Sequence, residues 1–447
     1  MESQLRIWLS SVKNIGVKIN KKTMEYIREF ENVSAYEAEK DTLGKPNVAW
    51  CVEENEIKYT KLPHDFSKDY LTFEAIESGT FKFSGNDVSY STDNGTTWAT
   101  LQANEDSPTV SVGNKIMFKA TLTPSTSYPN YGIGTFSSTG RFNVIGNPMS
   151  LLYGDDFIGK TSLSGKNVAF RNLFSGCTRL TNAECLSLLA TTLTEACYMA
   201  MFCGCTSLTA APSLPATTVE EACYNCMFSG CTSLTTAPEL PATTLANVCY
   251  QSMFYGCTSL TTAPQLPATT LNTFCYYSMF QGCTSLTTAP SLPATTLAAS
   301  CYAQMFEGCT SLEAVPSLLA TTLAPLCNRM MFKGCTSLTT VPAILQATTL
   351  AQGCYYGMFS GCTSLTTAPE LPATTLAEQC YLLMFFGCTS LSSITCLATD
   401  ISTANCTSDW VNGVASNGTF YKNPSMTSWT TSVNGTPNGW TVQDYVE

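Results

Sequence analysis

The chain has 447 residues, only 12% of them are charged, and the formal net charge at pH 7 is −11. A chain of this length has room for two or three domains with a sizeable core. The low and net negative charge argues against nucleic acid or an anionic membrane surface as a partner, because both attract clustered Lys and Arg. No segment approaches the ~20 apolar residues that span a bilayer, so membrane insertion is not expected.

The first 45 residues are predicted to be charged and helical. The clearest stretch is Met24–Lys40, and Pro46 follows the end of the pattern. A signal peptide is not expected, because Glu2 stands where positive charge is usual and the apolar run at 7–9 is short. We therefore expect a chain made and folded in the cytoplasm, with residues 1–45 serving attachment or oligomerisation.

Residues 46–150 alternate polar and apolar positions between turn residues, which predicts a small β-sandwich-like domain. Within this stretch, Ser91 to Trp98 matches S-x-D-x-G-x-x-W, the Asp-box, which forms a hairpin turn in sialidases. The motif occurs once, with no arginine-rich site around it. A structural turn is therefore favoured over a glycosidase site.

Residues 151–395 carry nine copies of the motif Phe-x-Gly-Cys-Thr-(Ser/Arg)-Leu. Successive copies are 28, then five times 26, then 27, then 26 residues apart. A fixed period of this length predicts a solenoid, in which each unit buries its apolar face against its neighbours. The motif cysteines are Cys177, Cys205, Cys231, Cys257, Cys283, Cys309, Cys335, Cys362 and Cys388.

The unit 234–259 illustrates how one copy is built. Its first four residues, Leu234 to Ala237, predict a short strand. From Leu245 onward an apolar residue recurs every four positions, which predicts a short helix that Gly256 ends. The recurring residues are Leu245, Cys249, Met253 and Cys257. The predicted fold class is therefore an α/β solenoid of nine units of about 26 residues.

Eighteen of the 23 cysteines form two registered series, the motif series and a second one, Cys197 to Cys406, which leads it by eight residues. Eight helical residues rise about 10–12 Å, and a disulfide needs Cα atoms within about 7 Å, so pairing within a repeat is excluded. Free cysteine packs as a small hydrophobe, and buried, reduced ladders are therefore favoured. Some disulfides or a metal site are the alternatives. Metal is disfavoured because the chain has one histidine, His64, and one C-x-x-C, Cys223 to Cys226. No cofactor is expected.

Comparison of the copies separates constant positions from variable ones. The constant ones are expected to form the stacking core, including Phe254, Phe280 and the motif cysteines from Cys205 to Cys388. Two variable positions lie just before Gly-Cys and shortly after the second cysteine series. Exposure to solvent explains such variation, and a recognition surface is the alternative. The candidate binding residues are Tyr255, Gln281, Glu307, Lys333, Phe386, Tyr277, Arg329 and Tyr356.

The pattern Leu-x-x-(Ala/Val)-x-x-Leu-Pro followed by Phe-x-x-Cys-x-x-Leu resembles the BspA-type leucine-rich repeat over residues 171–395. Leu188-Leu189 and Leu318-Leu319 depart from the Leu-Pro pair, and one residue is inserted near Ala343. We expect local bulges at these points. The resemblance implies a curved solenoid with an adhesion or recognition role and no catalytic activity.

Residues 396–447 abandon the repeat and contain Trp410, Trp429 and Trp440. An open solenoid end exposes apolar core and unpaired backbone, so this segment is predicted to be a C-terminal cap. An aromatic glycan-binding tip is the alternative.

The whole arrangement also resembles proteins encoded by tailed phages and prophages of gut Bacteroides, including crAss-like phages. The segments that carry this resemblance are 69–75, 134–142, the repeats and 410–414. It implies a non-enzymatic virion protein, a fibre or a head or tail decoration. Its N-terminal part would dock on other virion proteins, its solenoid would recognise a host surface protein or carbohydrate, and a homotrimer is one option. A bacterial cell-surface BspA-like adhesin is the alternative, and a glycan-active enzyme is disfavoured because no paired-carboxylate or nucleophile motif stands out.

Overall fold

The computed structural model describes residues 64–127, 131–315, 317–427 and 429–446, together with the backbone of three strands nearer the N-terminus. The chain divides into two compact units, Met1–Asp65 and Phe66–Glu447.

The first unit contains a three-stranded antiparallel sheet. Its strands are β1 (Tyr26–Phe30), β2 (Val48–Glu53) and β3 (Glu56–Lys61), and β3 lies in the middle. The helix predicted over Met24–Lys40 is therefore wrong at Tyr26–Phe30, where aromatic and β-branched residues favour a strand and pairing with β3 outweighs the helical pattern. The boundary predicted after residue 45 falls between two strands of this one sheet. The rest of the predicted helical segment lies outside the described residues.

The second unit begins with two sheets around a phenylalanine core. The larger sheet has the order β11-β10-β4-β8-β6-β7, and the smaller one pairs β5 with β9. Phe73 of the larger sheet lies 5.2 Å from Phe81 and 4.8 Å from Phe136 of the smaller sheet, measured between ring centroids. The strands are β4 (Leu71–Ala75), β5 (Phe81–Phe83), β6 (Val88–Ser91), β7 (Ala99–Leu101), β8 (Lys115–Lys119), β9 (Phe136–Ser138), β10 (Phe142–Ile145) and β11 (Leu180–Asn182).

The β-rich region continues into the first repeat without a gap. A short helix, α1 (Ser150–Tyr153), and a 3-10 turn, Gly154–Phe157, follow β10, and another 3-10 turn, Phe66–Lys68, precedes β4. Strand β11 follows the first motif copy and pairs in parallel with β10, with Phe142 opposite Leu180. The predicted boundary between residues 150 and 151 therefore does not separate two sheets.

Successive repeats are joined by regular backbone hydrogen bonds. Tyr250 donates to the carbonyl of Cys275 at 3.0 Å, and Phe254 donates to that of Met279 at 2.9 Å. The residues in between donate within their own coil, as Met253 does to the carbonyl of Tyr250 at 3.2 Å. Alternate N–H groups thus hold the coil together and hold it to the next coil. We refer to residues 163–413 as the repeat stack.

The structure replaces the predicted repeat helix with a run of hydrogen-bonded turns. In the unit 234–259, every fourth residue has a left-handed backbone: Val248 at φ 50°, Ser252 at φ 52° and Gly256 at φ 68°. In an α-helix each backbone N–H donates to the carbonyl of the fourth residue before it. In this stretch half of the backbone N–H groups donate instead to carbonyls of the neighbouring coil. The apolar period of four fits these turns, and the predicted strand at Leu234 is reduced to one parallel bridge between Thr236 and Thr262.

Two columns of stacked rings form the core of the repeat stack. Ring centroids lie 5.4 to 6.0 Å apart in the phenylalanine column and 5.7 to 6.2 Å apart in the tyrosine column. The first column contains Phe174, Phe202, Phe228, Phe254, Phe280, Phe306, Phe332, Phe359 and Phe385. The second contains Phe170, Tyr198, Tyr224, Tyr250, Tyr276, Tyr302, Tyr355 and Tyr381.

Tryptophans close the C-terminal end of both columns. Trp410 lies 6.2 Å from the rings of Tyr381 and Phe385, and its indole donates to the carbonyl of Gly435 at 2.9 Å. Trp429 stacks on its far side at 5.8 Å. Three parallel strands, β12 (Ser393–Cys396), β13 (Thr419–Lys422) and β14 (Thr441–Asp444), run beside them. Trp410 and Trp440 are buried and pack in the interior of this segment, whereas Trp429 is half-buried.

The part of the chain that the structure describes contains no helix with the length and apolar character of a transmembrane span.

Candidate recognition face

Along the run of turns, two consecutive side chains point into the core, the next two point toward the surface, and this pattern repeats. In the unit 234–259, Cys249 and Tyr250 are buried, the next two residues are half-buried, and Met253 and Phe254 are buried again. Tyr255, which follows, is 46% exposed. Asn225, Ala303 and Ser360 are buried, but the other variable positions of the repeat are half-buried or exposed around a constant core. We call the surface that they form the outer face.

The motif cysteines have a structural role inside the stack. The thiol of Cys257 donates to the carbonyl of Phe228 in the preceding repeat, with Sγ and O 3.1 Å apart. Burial raises the pKa of this thiol to about 12. The same bond to the preceding phenylalanine is made by Cys205, Cys231, Cys283, Cys309, Cys335, Cys362 and Cys388. Each cysteine thus gives a buried carbonyl a second hydrogen bond, beside the one from the backbone, while packing as a small apolar side chain.

All 22 described cysteines are free, and all but Cys185, Cys203 and Cys226 are buried. No group of three or more potential metal ligands lies close together among the described residues.

Four of the predicted binding residues meet at Glu307. Its carboxylate accepts hydrogen bonds from Gln281 at 3.1 Å and from Lys333 at 2.9 Å. A third donor, Gln304, lies 2.6 Å away and in turn accepts a hydrogen bond from the hydroxyl of Tyr277. These side chains come from three consecutive coils, which only the stacking brings together.

An aromatic pair forms one margin of this group. The ring of Phe274 lies 5.5 Å from that of Tyr277, at an interplanar angle of 72°, and Phe274 is 38% exposed. We call these residues the Glu307 cluster: Phe274, Tyr277, Gln281, Gln304, Glu307 and Lys333. Sequence comparison missed Phe274 and Gln304. Both occupy turn positions with a left-handed backbone, at φ 55° and φ 58°. The residue at these positions also varies from copy to copy, and that variation could have identified them as candidates.

The remaining candidates lie outside the Glu307 cluster. The guanidinium of Arg329 lies 5.2 Å from the ring centroid of Tyr356. Tyr255 and Phe386 are 46% and 42% exposed and take no part in the hydrogen bonds of the Glu307 cluster. The structure therefore gathers half of the eight predicted residues into one group.

The tyrosine column has a gap at Asn328. This residue occupies the position of Tyr302 and Tyr355 in the adjacent coils and is buried. Its side-chain nitrogen makes one long contact, 3.5 Å, to the sulfur of Cys327. A cavity of about 10 Å³ lies here, between the two flanking tyrosines and Leu318, which is room for about one water molecule.

The Asp-box residues form a closed turn between β6 and β7. The hydroxyl of Thr97 donates to the carboxylate of Asp93 at 2.6 Å, its N–H donates at 2.9 Å, and the hydroxyl of Ser91 donates at 2.7 Å. These bonds lower the pKa of Asp93 to about 2. The carboxylate is thus used to hold the turn, and the indole of Trp98 donates to the carbonyl of Gly95 within it.

Comparison with protein-family models, with curated proteins and with solved structures gives no match. A function must therefore be inferred from the side chains of the outer face.

Proposed function

We propose that this chain is a non-enzymatic virion surface protein, a fibre or a head or tail decoration, whose repeat stack recognises the surface of the host cell. The observation that carries this proposal is the Glu307 cluster. It joins variable side chains from three coils into one connected group on a constant core. A repeat array that fixes its interior and varies its surface is suited to recognition.

The mutual hydrogen bonds of the cluster support a binding role. Gln281, Gln304 and Lys333 are held by the carboxylate of Glu307 before any partner arrives. Side chains that are already ordered lose less conformational entropy when they bind, so more of the contact energy contributes to affinity.

Residues 1–150, or part of them, are proposed to dock on other virion proteins. The charged N-terminal segment differs in composition from the repeats, which hold few charges, and the contact pattern divides the chain after Asp65. A homotrimer is one way in which such a segment would assemble. The virion protein would be made in the host cytoplasm.

The alternative is a bacterial cell-surface adhesin. The resemblance of the repeats to the BspA type favours it, and the same outer face would then bind a partner of the bacterium. The two functions differ in where the protein is found and in whether it is exported.

Gradient-purified particles and the membrane fraction of uninfected cells distinguish the two locations by mass spectrometry. We expect the chain in particles. Particles that lack it should then regain it from the full chain but not from a chain without residues 1–65. Recovery by the shortened chain would show that docking does not use the first unit, and presence only on uninfected cells would favour the adhesin.

A further inference from the structure

The Glu307 cluster has a polar centre and an aromatic margin, and this layout identifies a class of partner. We propose that the cluster binds an uncharged oligosaccharide chain of the host surface. The inference rests on the proposed recognition function and narrows it to one chemistry.

The centre of the cluster is unlike the centre of a protein–protein interface. Such interfaces place aromatic and apolar side chains in a dry middle and keep charges at the rim. Here the middle is the carboxylate of Glu307 with three donors around it. Lys333, at 42% side-chain exposure, stays in contact with water. A protein partner would have to desolvate Lys333 and the half-buried amides of Gln281 and Gln304, whereas sugar hydroxyls can replace their water one hydrogen bond at a time.

The aromatic margin suits the other half of a sugar. A pyranose has hydroxyls around its edge and a patch of C–H groups on its face, and that patch packs against exposed rings. Phe274 is 38% exposed and stands nearly perpendicular to Tyr277, which is itself fixed by its bond to Gln304. Rings held in this way present an apolar surface at little cost in entropy.

The charges of the cluster argue for an uncharged ligand. Lys333 is paired with Glu307 at 2.9 Å, so neither charge is left over for a ligand ion. A sulfated or sialylated chain would find no unpaired cation in the cluster and would lose the hydration of its own charge on binding. Arg329, the nearest other cation in sequence, already lies over the ring of Tyr356.

The extent of the cluster along the repeat stack favours an oligosaccharide over a single sugar unit as the ligand. Its members lie on three consecutive coils, at residues 274–281, at 304–307 and at 333. Equivalent rings of neighbouring coils in this part of the stack are 5.5 to 5.6 Å apart, so the cluster is long enough for more than one sugar unit to lie across it.

The test uses the full chain and the polysaccharide of host cells, separated by anion exchange into a neutral and an acidic fraction. Each fraction is immobilised, and binding is measured for the wild type, Gln281→Ala, Glu307→Gln and Gln265→Ala. Gln265 is an exposed glutamine outside the cluster and serves as the matched control. We expect binding to the neutral fraction, weakened about tenfold or more by the two cluster variants and unchanged by the control. The affinity should change by less than about twofold with salt, because no ion pair forms with the ligand.

Parallel measurements on whole cells separate the two proposals. Binding that periodate oxidation of the cells abolishes, and protease treatment spares, supports the oligosaccharide. Protease-sensitive binding, or binding to the acidic fraction alone, overturns the oligosaccharide and leaves host recognition standing. If the full chain binds neither cells nor either fraction, both host recognition and oligosaccharide binding are wrong. If all three variants still bind the neutral fraction, the Glu307 cluster is not the binding site.

Discussion

At the scale of single residues, buried thiols govern the chemistry of the repeat stack. Nineteen of the 22 described cysteines are buried, since only Cys185, Cys203 and Cys226 are half-buried. Burial raises the pKa of these thiols above the ordinary value of 9.0, as at Cys257 and Cys275. The folded chain therefore keeps protons that the unfolded chain loses in mildly alkaline solution.

We predict that the protein unfolds sharply between about pH 9 and pH 10. Because folding raises the pKa of these thiols, their contribution to the stability of the fold is fully present below pH 9. That contribution is lost as the pH rises toward the thiol pKa values of the folded state. Each buried thiol lowers the free energy of unfolding by up to about 1.4 kcal/mol for every pH unit above its unfolded pKa. The summed effect of nineteen such thiols exceeds a typical free energy of unfolding of about 5–15 kcal/mol. Circular dichroism and thiolate absorbance, followed together with reductant present, should change in one step. Gradual thiolate formation with the fold retained would show that the thiols are accessible.

Asn328 gives a second prediction at this scale. Asn328→Tyr should restore the tyrosine column, fill the cavity between Tyr302 and Tyr355 and stabilise the protein by about 0.5–2 kcal/mol. Only one 3.5 Å contact to Cys327 is lost. Thermal unfolding measures the change, and Arg329→Tyr, at the neighbouring outward position, is the control and should have little effect. Destabilisation by Asn328→Tyr would mean that the site cannot admit a ring.

At the scale of the structural element, the repeat could be predicted only in part. The period and the constant core follow from the sequence, because each copy places the same side chains inward. The turns do not, since an apolar period of four from Leu245 to Cys257 differs too little from 3.6 over one short stretch to exclude a helix. The bonds that decide the matter run to the next coil and are invisible within a single unit.

The same limit applies to the site and to the first unit. Tyr277, Gln281, Glu307 and Lys333 could be found as variable positions, but their contacts through Gln304 depend on how coils align. The gap in the tyrosine column is visible in the sequence as Cys327-Asn328, where the copies from Cys197 to Cys380 otherwise have Cys-Tyr. Strand β1 was missed because pairing with β3 outweighs its local helical pattern.

The ring column gives a prediction at the element scale. Phe280 stacks on Phe254 at 5.6 Å and on Phe306 at 5.5 Å, so Phe280→Ala should lower the free energy of unfolding by about 3–5 kcal/mol. Gln281→Ala, the adjacent outward position, should cost less than about 1 kcal/mol, because it removes one partly exposed hydrogen bond. Denaturant titration of both variants compares them. Equal losses in the free energy of unfolding would contradict the assignment of Phe280 to the core and of Gln281 to the outer face.

At the scale of the whole molecule, the chain combines a constant interior with a variable surface. Stacked rings, thiol bonds to carbonyls and bonds between coils are repeated from copy to copy, whereas the Glu307 cluster occurs once. The stability of such an array is shared among neighbouring coils, so surface residues can change without disturbing the core. This separation would allow one part of the surface to be specialised for the ligand proposed above.

The most direct test of the central proposal is the adsorption rate of particles that carry altered chains. Particles assembled with the double variant Tyr277→Ala and Gln281→Ala are compared with wild-type particles and with particles carrying Gln265→Ala, at equal copy number of the protein. We predict that the double variant adsorbs to host cells about tenfold more slowly or worse, because it loses an aromatic and a polar contact of about 1.4 kcal/mol or more together, and that the control adsorbs like the wild type. Equal adsorption by all three kinds of particle would contradict recognition through the outer face.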